Sequence, residues 1–518
     1  MRLSAVVETS MRVAESSGRL QKVARLADLL ARAPPEEIAT VIAFLSGTPR
    51  QGRIGVGWAA IVEAREAPAA SEAALAVAEV DDTFGRIASL SGSGSSRARA
   101  EALRSLFGRA TQAEQDFLAR LLFGELRQGA VEGVLVEAVA RASKIPAAVV
   151  RRAAMLAGAL APVARAALVE GESALQALVI KPFTPVQPML ADSAADVEAA
   201  VGDLGEASLE YKLDGARIQV HKAGDDVRVY SRNLRDVSVA VPEVVEAARA
   251  LAAREIVLDG EAIALRADRT PHPFQITMRR FSRKLDVETL RRTLPVQPFF
   301  FDCLYFEGDP LIDEPLGRRL DLLTRQAPGS LLVPRVVTAD AAEASTFMER
   351  ALAAGHEGVM AKGLDGLYAA GRRGASWLKV KNARTLDLVV LAAEWGSGRR
   401  KGTLSNLHLG ARDSRRGGFV MLGKTFKGLT DEMLAWQTKK FLELEAARDS
   451  YTVHLRPELV VEIAFNDIQE SPHYPGRLAL RFARVKRYRP DKRAEDADTF
   501  ETIQQIYEQM TGLQAPDR

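Results

Sequence analysis

The sequence predicts a multidomain α+β protein: an all-α N-terminal part, a mixed α+β core and a smaller β-rich C-terminal part. Three observations carry that prediction. Apolar residues recur at helical spacing through roughly the first 190 residues. Pro182, Pro185 and Pro188 then favour an extended connector and oppose a helix. Beyond them, short strand-forming runs alternate with turn signals. At ~100–200 residues per domain, a chain of 518 residues holds two to four domains.

In chain order, Val23, Leu26, Leu29 and Leu30 define a helix that Pro34-Pro35 stops. Glu36 and Glu37 open the next, with Ile38, Val41, Ile42 and Leu45 on its apolar face. Acids suit a helix N-terminus, and Gly47 suits its end. Leu90 to Ser96 is a flexible Gly/Ser loop within the helical part. Phe117, Leu118, Leu121 and Leu122 line a further helix, and Ala130 to Ala142 forms another. Ala153 to Val169, interrupted by Pro162 and Arg165, also reads as helix. After the connector, strands are expected at Leu209 to Leu213, Arg217 to Lys222, Val227 to Ser231, Ile256 to Leu258 and Val296 to Phe306. Asp214-Gly215 and Ala223 to Asp226 supply turns. A third, strand-rich region opens near Thr385. The expected domains are 1–185, 186–384 and 385–518, and no repeat at solenoid spacing interrupts them.

Composition excludes several classes. Hydrophobic content of 47% and charged content of 26% are those of an ordinary globular chain. The single cysteine, Cys303, rules out a disulfide framework and a four-thiolate zinc site. No apolar run reaches the ~18–20 residues that span a bilayer. The first residues lack the apolar core of a secretory signal, so a cytoplasmic protein is expected. No two of the six histidines have metal-ligand spacing. A net charge of +3 neither demands nor excludes nucleic acid; the placement of the charges decides.

Placement is informative around Glu210-Tyr211-Lys212-Leu213-Asp214-Gly215-Ala216-Arg217. A lysine ending an apolar strand before a tight turn puts an amine at the mouth of a pocket. Such an amine is a nucleophile once deprotonated, and desolvation or neighbouring cations would lower its pKa. The octet alone is equally compatible with a solvated hairpin. It has company, however. Ser231-Arg232-Asn233 ends a later strand. Leu258-Asp259-Gly260-Glu261-Ala262 places carboxylates in an apolar strand, where an unpaired charge is costly. Phe299 to Tyr305 is an aromatic strand that could offer a ring face to a base. Glu357-Gly358-Val359-Met360-Ala361-Lys362 sets a carboxylate and an ammonium at opposite ends of one strand. In Trp377-Leu378-Lys379-Val380-Lys381, alternation points Lys379 and Lys381 the same way. Two lysines on one face suit a polyphosphate, although alone they more commonly mark a wet face.

Taken in order, these segments resemble the nucleotidyltransferase motifs of ATP-dependent DNA ligases. Lys212, Asp214, Gly215 and Arg217 meet the lysine motif K-x-D-G-x-R. The later motifs follow in family order, ending at Leu480 to Lys492. Six motifs over about 280 residues are specific where one K-x-D-G is not. Lys181 to Ala191 is similar to the connector ahead of the family's catalytic domain, and Leu126 to Ala130 to a segment of its helical DNA-binding domain. The short stretch ahead of the first helices points to the bacterial or archaeal type.

The resemblance implies a helical DNA-binding domain, an ATP-grasp-like nucleotidyltransferase core and an OB-fold barrel. It implies a monomer that seals nicks in duplex DNA with ATP and Mg²⁺, without a membrane partner. Lys212 would be the nucleophile that carries AMP. Glu210 would meet the adenine edge and Phe301 its face, with Arg217 and Glu261 on the ribose side. Arg232, Arg373, Lys379 and Lys381 would meet phosphates, and Glu261 and Glu357 would hold Mg²⁺. Residues 477 to 492, with seven cations and one acid, would orient the leaving pyrophosphate. Within them, the Arg489 to Lys492 end is expected to be functional, and Arg477 and Arg481 are compatible with a plain edge strand. Gly396 to Gly402 would be a basic loop near the DNA backbone. Capping guanylyltransferases and RNA ligases share the lysine chemistry without this helical N-terminus, and NAD-dependent ligases need zinc cysteines that are absent here.

Overall fold

The structure is a computed structural model that describes residues 1–126, 132–282, 287–369, 373–381, 384–511 and 513–516, with the backbone alone at 282, 373–375 and 399. The segment Arg127 to Ala130 and Arg372 lie outside the described residues, as does the side chain of Arg373. No helix among the described residues is long and apolar enough to cross a membrane.

From Leu3 to Gln176 the described chain is helical. The helix Arg19–Leu30 ends ahead of the paired prolines. Ile38–Leu45 follows with Glu37 at its cap, but Glu37 binds the N-terminal ammonium and makes no cap bond. The Gly/Ser loop separates Val77–Ser89 from Ser95–Gly108 and is shorter than expected because Ser95 and Ser96 already belong to the helix. Thr111 and Glu114 close a reciprocal capping box on Gln112–Phe123. Gly158, at φ +71°, splits the expected long helix into Ala147–Ala157 and Leu160–Val169. Leu26, Phe44, Phe84, Phe107 and Leu135 lie in the core that unites these helices.

The connector after Gln176 packs along the middle of the chain. Gln219 holds Val186 from both sides: its Oε1 accepts from the Val186 N–H at 2.8 Å, and its Nε2 donates to the carbonyl at 3.1 Å. The Phe183 N–H donates to His221 Nδ1 at 2.9 Å. Ile180, Val186 and Met189 then bury with Met155 and Leu156 of the helical part against Val257, Leu304, Tyr305 and Ile312.

The middle contains β1 (Leu190–Ser193), β2 (Ala207–Tyr211), β3 (Ala216–Ala223), β4 (Asp226–Ser231), β5 (Glu255–Ala264), β6 (Val296–Phe306), β7 (Asp309–Pro310), β8 (Arg335–Thr338), β9 (Gly358–Gly363) and β10 (Arg373–Lys381). They form two five-stranded sheets, ordered β1-β10-β9-β2-β8 and β4-β3-β5-β6-β7. Helices Val197–Leu204 and Ala341–Ala353 cover the first sheet, and Pro242–Arg249 and Leu316–Gln326 the second. The turn from β2 to β3 carries the chain between sheets. Gly215 is obligatory there: a Cβ would stand 2.2 Å from Ile263 Cγ2 and 2.5 Å from the Ala262 carbonyl.

The last part holds β11 (Arg384–Trp395), β12 (Leu404–Arg412), β13 (Phe419–Thr425), β14 (Glu445–Arg448), β15 (Thr452–Leu455), β16 (Val460–Phe465), β17 (Asp467–Glu470), β18 (Leu478–Arg481) and β19 (Arg484–Tyr488). The path β13-β12-β11-β16-β19 bends round until the Val485 N–H donates to the Lys427 carbonyl at 2.9 Å, which closes a small barrel. Leu388, Val390, Leu409, Ile463 and Phe465 fill it. The barrel part also meets the middle: Arg266 Nη2 donates to the Thr511 carbonyl at 2.7 Å, and Gln275 to Gln469 at 3.2 Å.

Candidate active site

A cavity of about 810 Å³ opens between the two middle sheets, with Arg481 and Phe482 of the barrel part at its wall. Eight lysines and arginines and four carboxylates line it, and that excess suits a polyphosphate. Lys212, Glu210, Arg217, Arg232, Glu261, Phe301, Glu357, Lys379 and Lys381 are all brought together here.

Lys212 follows β2, and its main chain is clamped to β9. Its N–H donates to the Gly358 carbonyl at 2.9 Å, and the Glu357 N–H donates to its own carbonyl at 3.2 Å. Gly358, at φ +143°, lets β10 pack closely against this point of β9, since a Cβ would meet the Val380 carbonyl at 2.2 Å. The Lys212 ammonium is paired with Glu357 Oε2, and Lys381 Nζ reaches the same oxygen at 2.8 Å. Burial pulls the Lys212 amine down, but the Glu357 carboxylate outweighs it and the net direction is upward. Desolvation and neighbouring cations therefore do not prevail for Lys212: it rests as an ammonium because its nearest charge is an anion. Lys381 shifts downward, through burial and then repulsion by Lys212. Glu357 shifts downward because the two lysines outweigh its burial.

Two further carboxyls go the other way. Burial and the Glu357 charge raise Asp214 to about 6, and burial, resisted by Arg217 and Lys212, raises Glu261 to about 7. Carboxyls poised near neutrality in a cleft mark a functional site.

Arg217 is held before any ligand arrives. Its guanidinium grips Asp259 through two bonds of 3.0 and 2.6 Å and donates to the Met189 carbonyl at 2.8 Å. Tyr368 donates to the same Asp259 at 2.7 Å. The buried carboxylate of the Leu258-Asp259-Gly260-Glu261 segment is thus Asp259, while Glu261 faces the cavity beside Arg217, its register partner. Phe300 lies in the core below β6, and Phe301 lines the cavity with Trp377 edge-on at 6.1 Å. Lys362, on β9, pairs with Glu210 at 2.5 Å beneath these rings. Lys379 Nζ donates to the Ala191 carbonyl at 3.3 Å. Arg232 is exposed at the rim, on the turn after β4.

The last basic motif is divided between the cavity and the barrel. Arg481 enters the cavity, its guanidinium 5.4 Å from the Phe274 ring and 3.3 Å from Asp467. Arg489 and Lys492 point away and share Asp387 Oδ2 at 2.8 and 2.6 Å. In the basic loop, Gly398–Arg400 is a 3₁₀ turn, and Arg400 donates to the Phe426 carbonyl at 2.5 Å. Asp259, Tyr368, Lys362, Trp377, Phe274 and Phe482 are site residues that the sequence reading did not assign. Asp259, Lys362, Trp377 and Phe482 stand in segments singled out for chemistry, whereas Tyr368 and Phe274 do not.

The residues that build this cavity fall within a region, 188–381, that matches the family model described as ATP dependent DNA ligase domain. Residues 400–492 match the ATP dependent DNA ligase C terminal region, and 58–140 the DNA ligase N terminus. A probable DNA ligase from Anaeromyxobacter sp. (strain Fw109-5) is 61% identical, covering 98% of each chain. Another from Sorangium cellulosum (strain So ce56) is 55% identical over 98% of this chain and 95% of its own. The solved structure named Pmar-Lig_Pre. shares the fold at a TM-score of 0.61, with 20% identity over 94% of this chain and 99% of that one.

Proposed function

The chain belongs to the ATP-dependent DNA ligase family, and on that premise we propose that the cavity around Lys212 is where the enzyme takes up AMP. One observation carries the assignment. A lysine amine, an aromatic base platform and phosphate-binding cations converge on a single cavity, with Arg481 of the barrel part at its wall. The domains follow as 1–185 for DNA binding, 186–384 for nucleotidyl transfer and 385–518 for the OB-fold, in a cytoplasmic monomer acting on nicked duplex DNA.

Lys212 nitrogen bonds to the α-phosphorus of ATP as the bond to the β-phosphate oxygen breaks and pyrophosphate leaves. Its proton has an acceptor already in contact, the Glu357 carboxylate. Phe301 stacks on adenine and Glu210 meets its edge. Arg217 and Glu261 meet the ribose side, and Arg232, Arg373, Lys379 and Lys381 hold phosphates as forks or point charges. Arg481 neutralises the departing pyrophosphate from the barrel side. An oxygen of the nick's 5′-phosphate next takes AMP from Lys212, and the 3′-hydroxyl displaces AMP to seal the strand. All three are in-line displacements at phosphorus, in which positioning and charge neutralisation dominate.

The donor set suits Mg²⁺. Glu261, beside Asp214, is a raised carboxyl whose charge a cation would compensate, and Glu357 lies in the same cavity. No cluster of three or more ligating side chains exists among the described residues, which agrees with an ion that takes one or two carboxylates and completes its shell with phosphate and water. Glu261 and Glu357 would hold Mg²⁺, which would supply neutralisation of phosphate charge.

The test is covalent labelling. Incubated with Mg²⁺ and α-labelled ATP and then denatured, the protein should retain label, and Lys212→Ala should retain none. Label retained by the alanine variant would refute the assignment.

A further inference from the structure

Met189, the last connector residue before β1, is enclosed by a ring of hydrogen bonds. Its N–H donates to the Tyr368 hydroxyl at 3.1 Å, and that hydroxyl donates to Asp259 Oδ2 at 2.7 Å. Asp259 accepts from Arg217 at 3.0 and 2.6 Å, and Arg217 Nη1 returns to the Met189 carbonyl at 2.8 Å. Met189, Asp259 and Tyr368 are 1%, 1% and 3% exposed. A tyrosine hydroxyl has one proton, so with Asp259 served it can only accept, and Met189 fills that role. In a buried ring each broken bond strands a partner. Of the four residues only Arg217 lines the cavity. Its guanidinium stands 5.2 Å from the Phe301 ring centre and 5.7 Å from that of Trp377.

The connector is held on both sides of this ring. Just after Met189, Leu190 and Ala191 are themselves cavity wall. Two residues before it, Gln187 belongs to the helical part: its N–H donates to the Met155 carbonyl at 3.0 Å and its side chain to Glu132 at 2.7 Å. Pro188, between the two, has one backbone dihedral fixed by its ring, so little slack separates the helices from Arg217. We propose that Tyr368 is a positioning residue: with Asp259 it ties Arg217 to the connector, so that nucleotide capture and seating of the helical part favour each other. A seated connector holds Arg217 ready, which lowers the ordering cost of taking up the nucleotide. A nucleotide that holds Arg217 in turn steadies the Met189 peptide, because such coupling is reciprocal. The proposal rests on the assignment of this cavity to AMP uptake, with Arg217 on the ribose side.

The experiment uses the full-length chain and has two readouts. The first is amide hydrogen exchange of the connector with Mg²⁺ and α,β-methylene-ATP, which binds but cannot transfer AMP. Exchange at Val186, Gln187 and Met189 should slow at least about fivefold in wild type and stay unchanged in Tyr368→Phe. The second is single-turnover covalent labelling from ATP and from its 2′-deoxy and 3′-deoxy analogues. Tyr368→Phe should raise the half-saturating ATP concentration at least about fivefold and cost less in the rate at saturation. Gln219→Leu, which frees Val186 without touching the cavity, should do the same. Because both act through the connector, the double variant should be no worse than the worse single one. The preference for ATP over the deoxy analogues should shrink in Tyr368→Phe. Connector exchange in wild type that ignores the nucleotide would overturn the proposal, and so would additive losses in the double variant. A loss shared equally by ATP and both deoxy analogues would make Tyr368 merely structural and overturn it too. Absence of label from ATP on wild type would instead overturn the Lys212 assignment.

Discussion

Lys212 and Lys381 converge on one oxygen atom, Oε2 of Glu357. The anchor that orients the nucleophile is thus also what keeps it protonated. Adenylylation should quicken as pH rises, because the raised Lys212 pKa leaves little free amine near neutrality. In Glu357→Gln that rise should shift to lower pH, while the plateau falls for want of a proton acceptor. Single-turnover labelling across pH at saturating ATP measures both. An unmoved midpoint would show that Glu357 does not govern Lys212.

Loading of a divalent cation should release protons. Asp214 near 6 and Glu261 near 7 are partly protonated at pH 6.5, and a cation drawn to their charged forms expels that proton. Calorimetric titration with Mg²⁺ in two buffers of different ionisation heat should show release at pH 6.5 that fades by pH 9. Glu261→Gln should lower the release. A buffer-independent heat at pH 6.5 would count against these carboxyls.

Acid should loosen the connector early. Burial pushes His221 down to about 3, so the unfolded chain binds a proton there that the folded chain refuses. The sign follows: the His221 contribution is complete above the unfolded pKa and drains away as pH falls below ~6.5, at up to about 1.4 kcal/mol per unit. His356, lowered to about 4, adds in the same direction. Thermal midpoints from pH 7.5 to 5 should therefore slope downward, and His221→Gln should flatten the slope.

Arg481 lines the cavity, and the proposed function assigns it to the first chemical step. Its alanine variant should lose about a hundredfold in lysine labelling, the cost of one charge-stabilising donor. Sealing of a nick supplied already adenylylated should suffer much less, because no pyrophosphate departs in that step. Equal losses in both assays would place Arg481 elsewhere in the cycle.

The outline of this site was legible because its chemistry is carried by short segments. Lys212, Glu357, Lys379 and Lys381 each end or alternate on a strand, and strand periodicity alone aims them. What escaped depends on three-dimensional pairing. Nothing local says that Asp259 grips Arg217, or that Tyr368, 109 residues away, completes the contact. The direction of the Lys212 shift escapes for the same reason: sequence counts neighbouring cations, whereas the nearest charge is an anion 145 residues on. The density of the basic motif hides how it divides. Seven cations look alike in sequence, and only Asp387 distinguishes the pair it tethers from the one that enters the cavity. In the fold, helices and connector are plain from prolines and periodicity, while β5 runs to Ala264, well past its apolar start, because Asp259 is paired with Arg217 and Glu261 faces the cavity.

The connector's attachments set where this protein can be cut. A fragment starting at β1 would lack the Met189 carbonyl that Arg217 uses, and Gln219 would lose both of its Val186 partners. Val257, Leu304 and Ile312 would meet water where Val186 and Ile180 now cover them. Removing the tether would thus slacken the cavity itself, so a minimal fragment that keeps it has to carry its leash from about Ile180 onward, even if every N-terminal helix is discarded.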